Sequence, residues 1–209
     1  MSAPAPIALV AGTWGRDPSH GGWWRAGSEF RRMLLALGVP LVGADDANAI
    51  FSWTTRLDGV DGDNADWDEA GKALVWYAHA QLSPDEPGTW KPVSVIAHSH
   101  GGNVLAYAAW HGLAIDTAIT LATPVRADME VQYRMLAQRA RRWVHVYTDE
   151  RTGWGWQILG AAGWNTLFAP VHREMAHAHE NVYVPGYAHG DLVRPGLWLD
   201  QRWAPRFFG

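Results

Sequence analysis

The segment Val93-Ser94-Val95-Ile96-Ala97-His98-Ser99-His100-Gly101-Gly102-Asn103-Val104-Leu105 constrains this 209-residue chain more than any other stretch. The residues before Ser99 are mostly β-branched or apolar, and so short a run reads as a buried strand. Two glycines follow, then Val104, Leu105, Ala106, Tyr107, Ala108 and Ala109, which read as a helix packed on that strand. A strand and helix joined by so sharp a turn come close together, so small residues must flank the serine. Ala97 stands two positions before it and Gly101 two after. A serine on such a turn holds its hydroxyl out at the sheet edge. The backbone N–H groups of the helix's first turn point at whatever that hydroxyl attacks.

The rest of the chain repeats the same alternation. Pro6–Ala11 is a short apolar run that stops at Gly12. Trp23–Leu37 reads as an amphipathic helix ended by Gly38, Ala49–Trp53 as a second strand, and Asp66–Leu82 as a long helix. After the serine come a strand over Asp116–Ala122, a helix over Met129–Arg141, a strand over Trp143–Tyr147 and a last strand over Asn181–Val184. The tail is mixed, with Pro195 and Pro205 limiting any helix. Strands alternating with helices imply an α/β fold: a mainly parallel sheet of about six strands with helices on both faces, and Ser99 after the third strand. Length and the absence of an interior linker imply one domain over 1–209.

Composition narrows the chemistry. There is no cysteine, which removes disulfides, cysteine nucleophiles and thiolate metal sites. A net charge of −4 leaves no basic field for nucleic acid. No apolar run is long enough to span a membrane, and Ile7–Ala11 is too short for a signal core, so the expectation is a cytoplasmic protein, with export by another route left open. Oligomeric state is not legible. The fourteen tryptophans suit core packing and, having a large apolar body and one N–H donor, also the walls of acyl pockets.

Ala97-His98-Ser99-His100-Gly101 resembles the nucleophile elbow of the α/β-hydrolases, usually written Gly-x-Ser-x-Gly, with alanine in place of the first glycine. Ala-His-Ser-x-Gly-Gly is also similar to the elbow of some small bacterial lipases. By order the resemblance covers nearly the whole chain and implies a minimal member lacking the first two antiparallel strands. It implies a triad in the order serine, acid, histidine, each at a strand's carboxyl end. Asp149, directly after Trp143–Tyr147, is the implied acid; Glu150 is the neighbour that competes with it, and Asp128 and Asp116 are weaker. His189, in the loop after the last strand, is the implied base. The flanking His98 and His100 should point away from Ser99, and His100 should contribute its backbone N–H to the oxyanion hole. Thr13, in Gly12-Thr13-Trp14-Gly15, would supply the other donor, with Trp14 the weaker candidate and a glycine turn without a role the plain alternative, and Leu121–Val125 resembles the stretch that borders the acyl pocket in many lipases and esterases.

Trp14, Trp154 and Trp156 are the candidate substrate contacts. Residues 151–178 are either a cap or pocket wall, or a packed helix with loops. His172, His177 and His179 read as a solvated or packed histidine cluster: His177 and His179 lack a spacing that fixes two metal ligands on one helix face and have no recognised acidic partner motif, so no metal and no cofactor is expected. The implied activity is that of a serine esterase or lipase acting on a small-molecule or lipid ester. The same triad would serve a thioesterase, amidase or acyltransferase, and a non-catalytic binding protein on the same scaffold is the reading from another class.

Overall fold

Apolar runs buried on both faces become the strands of a parallel sheet. The structure is a computed structural model and describes residues 5–12, 22–43, 50–53, 64–82, 91–148 and 174–209. Strands β1 (Ile7–Val10), β2 (Val93–His98), β3 (Ile115–Leu121), β4 (Ala140–Tyr147) and β5 (Glu180–Tyr183) lie side by side in chain order, and every neighbouring pair is parallel. The helices are α1 (Glu29–Ala36), α2 (Asn64–Leu82), α3 (Gly101–Trp110), α4 (Glu130–Arg139), α5 (Pro195–Asp200) and α6 (Trp203–Phe208). Two crossovers stepping the same way along a sheet put both helices on one face. Accordingly α3 and α4 share a face with α2, packed on Val95, Ala97, Ala118 and Trp143. Helices α1, α5 and α6 cover the other, packed on Leu9, Ile96, Ile119 and Val144.

Among the described residues the sheet has five strands, where six are expected. The described part of the expected second strand, 50–53, carries no ladder. Its apolar character reflects packing instead: Phe51 and Trp53 are buried, and the Trp53 indole N–H donates to the Ala11 carbonyl at 2.7 Å. The outer neighbour of β1 is the stub around Leu41, bridged in parallel to Ile7 through Ile7 N–H to Pro40 O at 2.8 Å and Val42 N–H to Ile7 O at 2.9 Å. Ser99 therefore follows the second strand of the sheet, not the third.

Other boundaries moved for local reasons. Helix α1 begins at Glu29 because Ser28 caps it, its hydroxyl accepting from Arg31 N–H. Trp23 and Trp24 fall in the preceding turn and are buried. The tail is helical after all. Pro195 occupies the first turn of α5, where its missing N–H costs nothing. Pro205 likewise sits in the first turn of α6. Those two helices bury Trp198 and Trp203, and the Trp198 indole N–H donates to Leu192 O at 2.8 Å. Arg142 fastens the tail to the amino ends of β4 and β5, donating to Arg206 O at 3.0 Å and to Glu180 at 3.0 Å.

Among the described residues, three that are not glycine adopt left-handed backbone: Ser99 (φ 56°), Ala122 (φ 48°) and Arg202 (φ 51°). Each such residue costs about 1 kcal/mol. Arg202 is exposed, so Arg202→Gly should raise stability by about 0.5–1 kcal/mol in urea unfolding. Ala122 is fully buried. There the strain relieved is offset by about 0.8 kcal/mol of lost methyl burial, and Ala122→Gly should be nearly neutral. Equal effects at both positions would contradict this account.

Candidate active site

In a parallel sheet all carboxyl ends share one edge, and loops from each strand meet there. Ser99 leaves β2 at that edge in the left-handed region, its N–H donating to Leu121 O on β3 at 2.9 Å. The turn is possible because α3 presses its first residue onto β1. A Cβ on Gly101 would lie 2.5 Å from Ala11 O and 2.6 Å from Val10 O. Gly12 stands against the serine itself, where a Cβ would sit 2.8 Å from Ser99 Cβ and 3.2 Å from its Oγ. Gly102, Asn103 and Val104 N–H groups donate to the carbonyls of Ser99 and His100. The N–H groups of His100 and Gly101, ahead of these, have no acceptor within the helix by its geometry.

The two flanking histidines are buried and turn to opposite sides. His98 packs against the Trp23 ring edge, centroids 6.2 Å apart, and its Nε2 lies 2.9 Å from the His189 carbonyl. A carbonyl only accepts, so His98 carries its proton on Nε2. The His98 and His189 rings are 4.7 Å apart. His100 stacks on Trp67 at 4.9 Å, and the Arg126 guanidinium stands 5.2 Å over that indole. His100 Nδ1 accepts from the Asn103 amide at 3.1 Å, and Asn103 Oδ1 accepts from Tyr133 at 2.9 Å. Burial, and secondarily the charge of a protonated His189, pushes both histidines down to about 3. Both rings are therefore uncharged at neutral pH.

His189 opens a short 3-10 turn, His189–Val193, beyond β5. Its loop is pinned in three places. The hydroxyl of buried Thr148 donates to Tyr187 O, Ala188 N–H donates to Asp191 Oδ2 at 2.8 Å, and Asp191 pairs with Arg194 at 2.8 Å. Thr148 directly precedes Asp149.

Ser99, His100 and His189 thus gather at one edge. Asp149, Glu150, Thr13, Trp14, Trp154, Trp156 and His172 lie outside the described residues, as does 151–173 of the segment read as a cap or pocket wall. The other acids are committed elsewhere: Asp128 to Arg126 at 2.7 Å, and Asp116 to Arg141 at 2.7 Å near the amino ends of β3 and β4. His177 pairs with Glu130, and His179 accepts Trp143 N–H at 2.8 Å. Among the described residues no group of three or more His, Asp or Glu could hold a metal, and no helix is long and apolar enough to cross a membrane. The His98–His189 and Thr148–Tyr187 bonds had no readable signal, since each joins residues far apart in sequence.

This architecture is that of the α/β-hydrolase fold. No protein-family model and no curated protein matches the sequence. Among solved structures, the chain is similar to a dienelactone hydrolase-like promiscuous phosphotriesterase from metagenomic libraries, with a TM-score of 0.53 at 16% identity over 100% of this chain and 89% of that one. It is also similar to the esterase domain of a Rhodothermus marinus protein, with a TM-score of 0.51 at 16% identity over 99% and 88%.

Two outcomes follow from the site's geometry. Ser99→Gly should be more stable than the parent by about 0.5–1 kcal/mol in urea unfolding, because it releases left-handed strain; lower stability would show that Ser99 is unstrained. His98 and His100 have folded values below the unfolded value near 6.5, so the unfolded chain binds more protons between about pH 6.5 and 3. Stability should therefore fall on acidification below about pH 6, by up to about 1.4 kcal/mol per pH unit for each histidine. His98→Gln should make that slope shallower in urea titrations at stepped pH.

Proposed function

We propose that the chain is a serine hydrolase that cleaves carboxylic esters, with Ser99 as nucleophile, His189 as general base and Asp149 as the acid that orients it. The observation that carries this reading is the left-handed Ser99 between β2 and α3, with Gly12 against its side chain. A strained residue held by its surroundings at a strand exit is where a fold stores conformation for function. Support for Asp149 comes from Thr148, the residue before it, whose hydroxyl reaches Tyr187 two positions short of His189. The solved structures of similar fold include an esterase domain.

In this reading His189 takes the Ser99 hydroxyl proton as Oγ attacks the ester carbonyl carbon. The N–H groups of His100 and Thr13 donate to the oxyanion. As the tetrahedral intermediate collapses, the alcohol leaves with the proton from His189. Water, deprotonated by His189, then attacks the acyl-enzyme and returns Ser99 with the acid product. Trp14, Trp154 and Trp156 are the proposed walls for an apolar acyl group, and the substrate is a small-molecule or lipid ester. The chemistry uses no metal or cofactor.

A panel of p-nitrophenyl esters from short to long acyl chains should show turnover that Ser99→Ala lowers by on the order of 10,000-fold. A fluorophosphonate should label Ser99 and leave Ser99→Ala unlabelled. Undiminished turnover by Ser99→Ala would sink the assignment, and an inert Ser99 in a folded parent would favour a binding protein on this scaffold.

A further inference from the structure

The loop that carries His189 starts at β5, the edge strand, and must return across β4 and β3 to reach the serine above β2. Adjacent strands are about 4.8 Å apart, so that return spans roughly 14 Å. Thr148 at the end of β4 pins Tyr187 part of the way. The bond between Ala188 and Asp191 lies within the loop and fixes its shape, not its distance from β2. Among the described residues, a side chain from β2 bridges the remaining gap. His98, the last residue of β2, reaches the carbonyl of His189 itself at 2.9 Å.

We propose that His98 is a positioning residue for the base: its Nε2–H ties the strand that delivers the nucleophile to the backbone of the residue that deprotonates it. The proposal rests on the reading of Ser99 and His189 as nucleophile and base. On one side of the bridge a single peptide bond separates His98 from Ser99. On the other, the bond falls on His189 rather than on a neighbour. The His189 main chain is thereby held at a fixed offset from the serine. The His98 ring is itself held, packed against Trp23 and the His189 ring and only 9% exposed. Because its partner is a carbonyl, the bond needs a proton on Nε2 and fails in the other tautomer.

Leucine at position 98 keeps similar bulk and removes the donor, whereas glutamine places an amide N–H near the same point. His98→Leu should lose about 10- to 100-fold in kcat, the scale of a misplacement of about 1 Å, with KM within about twofold. His98→Gln should recover to within about threefold of the parent. Thermal unfolding of both variants checks that they are folded. Long-range 15N–1H spectra of the parent, assigned by loss of the signal in His98→Gln, should show a protonated Nε2 and a bare Nδ1. Parental kcat in folded His98→Leu, or a His98→Gln as slow as His98→Leu, overturns the proposal, as does a protonated Nδ1. If His98→Leu does not fold, His98→Gln and the tautomer decide. The tautomer spectrum does not depend on turnover, so active Ser99→Ala would remove the serine-hydrolase reading while the spectrum still reports the bridge.

Discussion

The contact that everything else in this molecule accommodates is backbone on backbone: the first residue of α3 lies against the last carbonyls of β1 with no side chain between them. Helix and sheet normally pack through side chains, at a separation that would leave the strand–helix turn slack. Removing the side chain at Gly101 draws the helix in and tightens the turn, and Ser99 takes the left-handed strain. The helix's first N–H groups then stand beside the serine. The sheet edge, the helix terminus and the hydroxyl are brought together by one missing methyl group.

Among the described residues, polar groups around that contact are handled by neutralisation and by networks. Two histidines flank the serine and are buried in the uncharged form, where an ionised ring would be costly. Each spends a ring nitrogen on a defined partner, one on a main-chain carbonyl and the other on Asn103. Asn103 is in turn held by Tyr133 from α4. Charged pairs are kept to the periphery, as with Arg141 and Asp116 or Arg126 and Asp128, where solvent makes them cheap to form and weak to rely on.

How much of this was legible varied with the range of the forces involved. The strand–turn–helix around Ser99 was readable because its requirements are local: an apolar run, two glycines and a helix former within a dozen residues. The parallel α/β layout followed from alternation alone. The run at Ala49–Trp53 misled because burial and strand formation leave the same apolar signature, and Trp53 is buried in order to cap Ala11 with its indole. Pro195 and Pro205 misled in the opposite direction, since a proline that breaks a helix interior is at home in a first turn. At the candidate site, ten histidines made the base a choice by position. His98 could be seen to flank the serine, but its bond to His189 depends on how a distant loop crosses the sheet. Asp149 and Thr13 lie outside the described residues.

The strand exits form a staircase. Ser99 hangs by its N–H from Leu121, the residue after Leu121 hangs from Val146, and Val184 hangs from Tyr147, the next residue of β4. Each step is a backbone hydrogen bond from one strand's exit to its neighbour, so the height of the serine above the sheet is referred sideways through β3 to β4. β4 is also followed directly by Thr148, which holds the histidine loop. Ser99 and the loop that carries His189 are thus levelled against the same strand. A change in how the end of β4 packs would move both together, altering their common position before altering the distance between them.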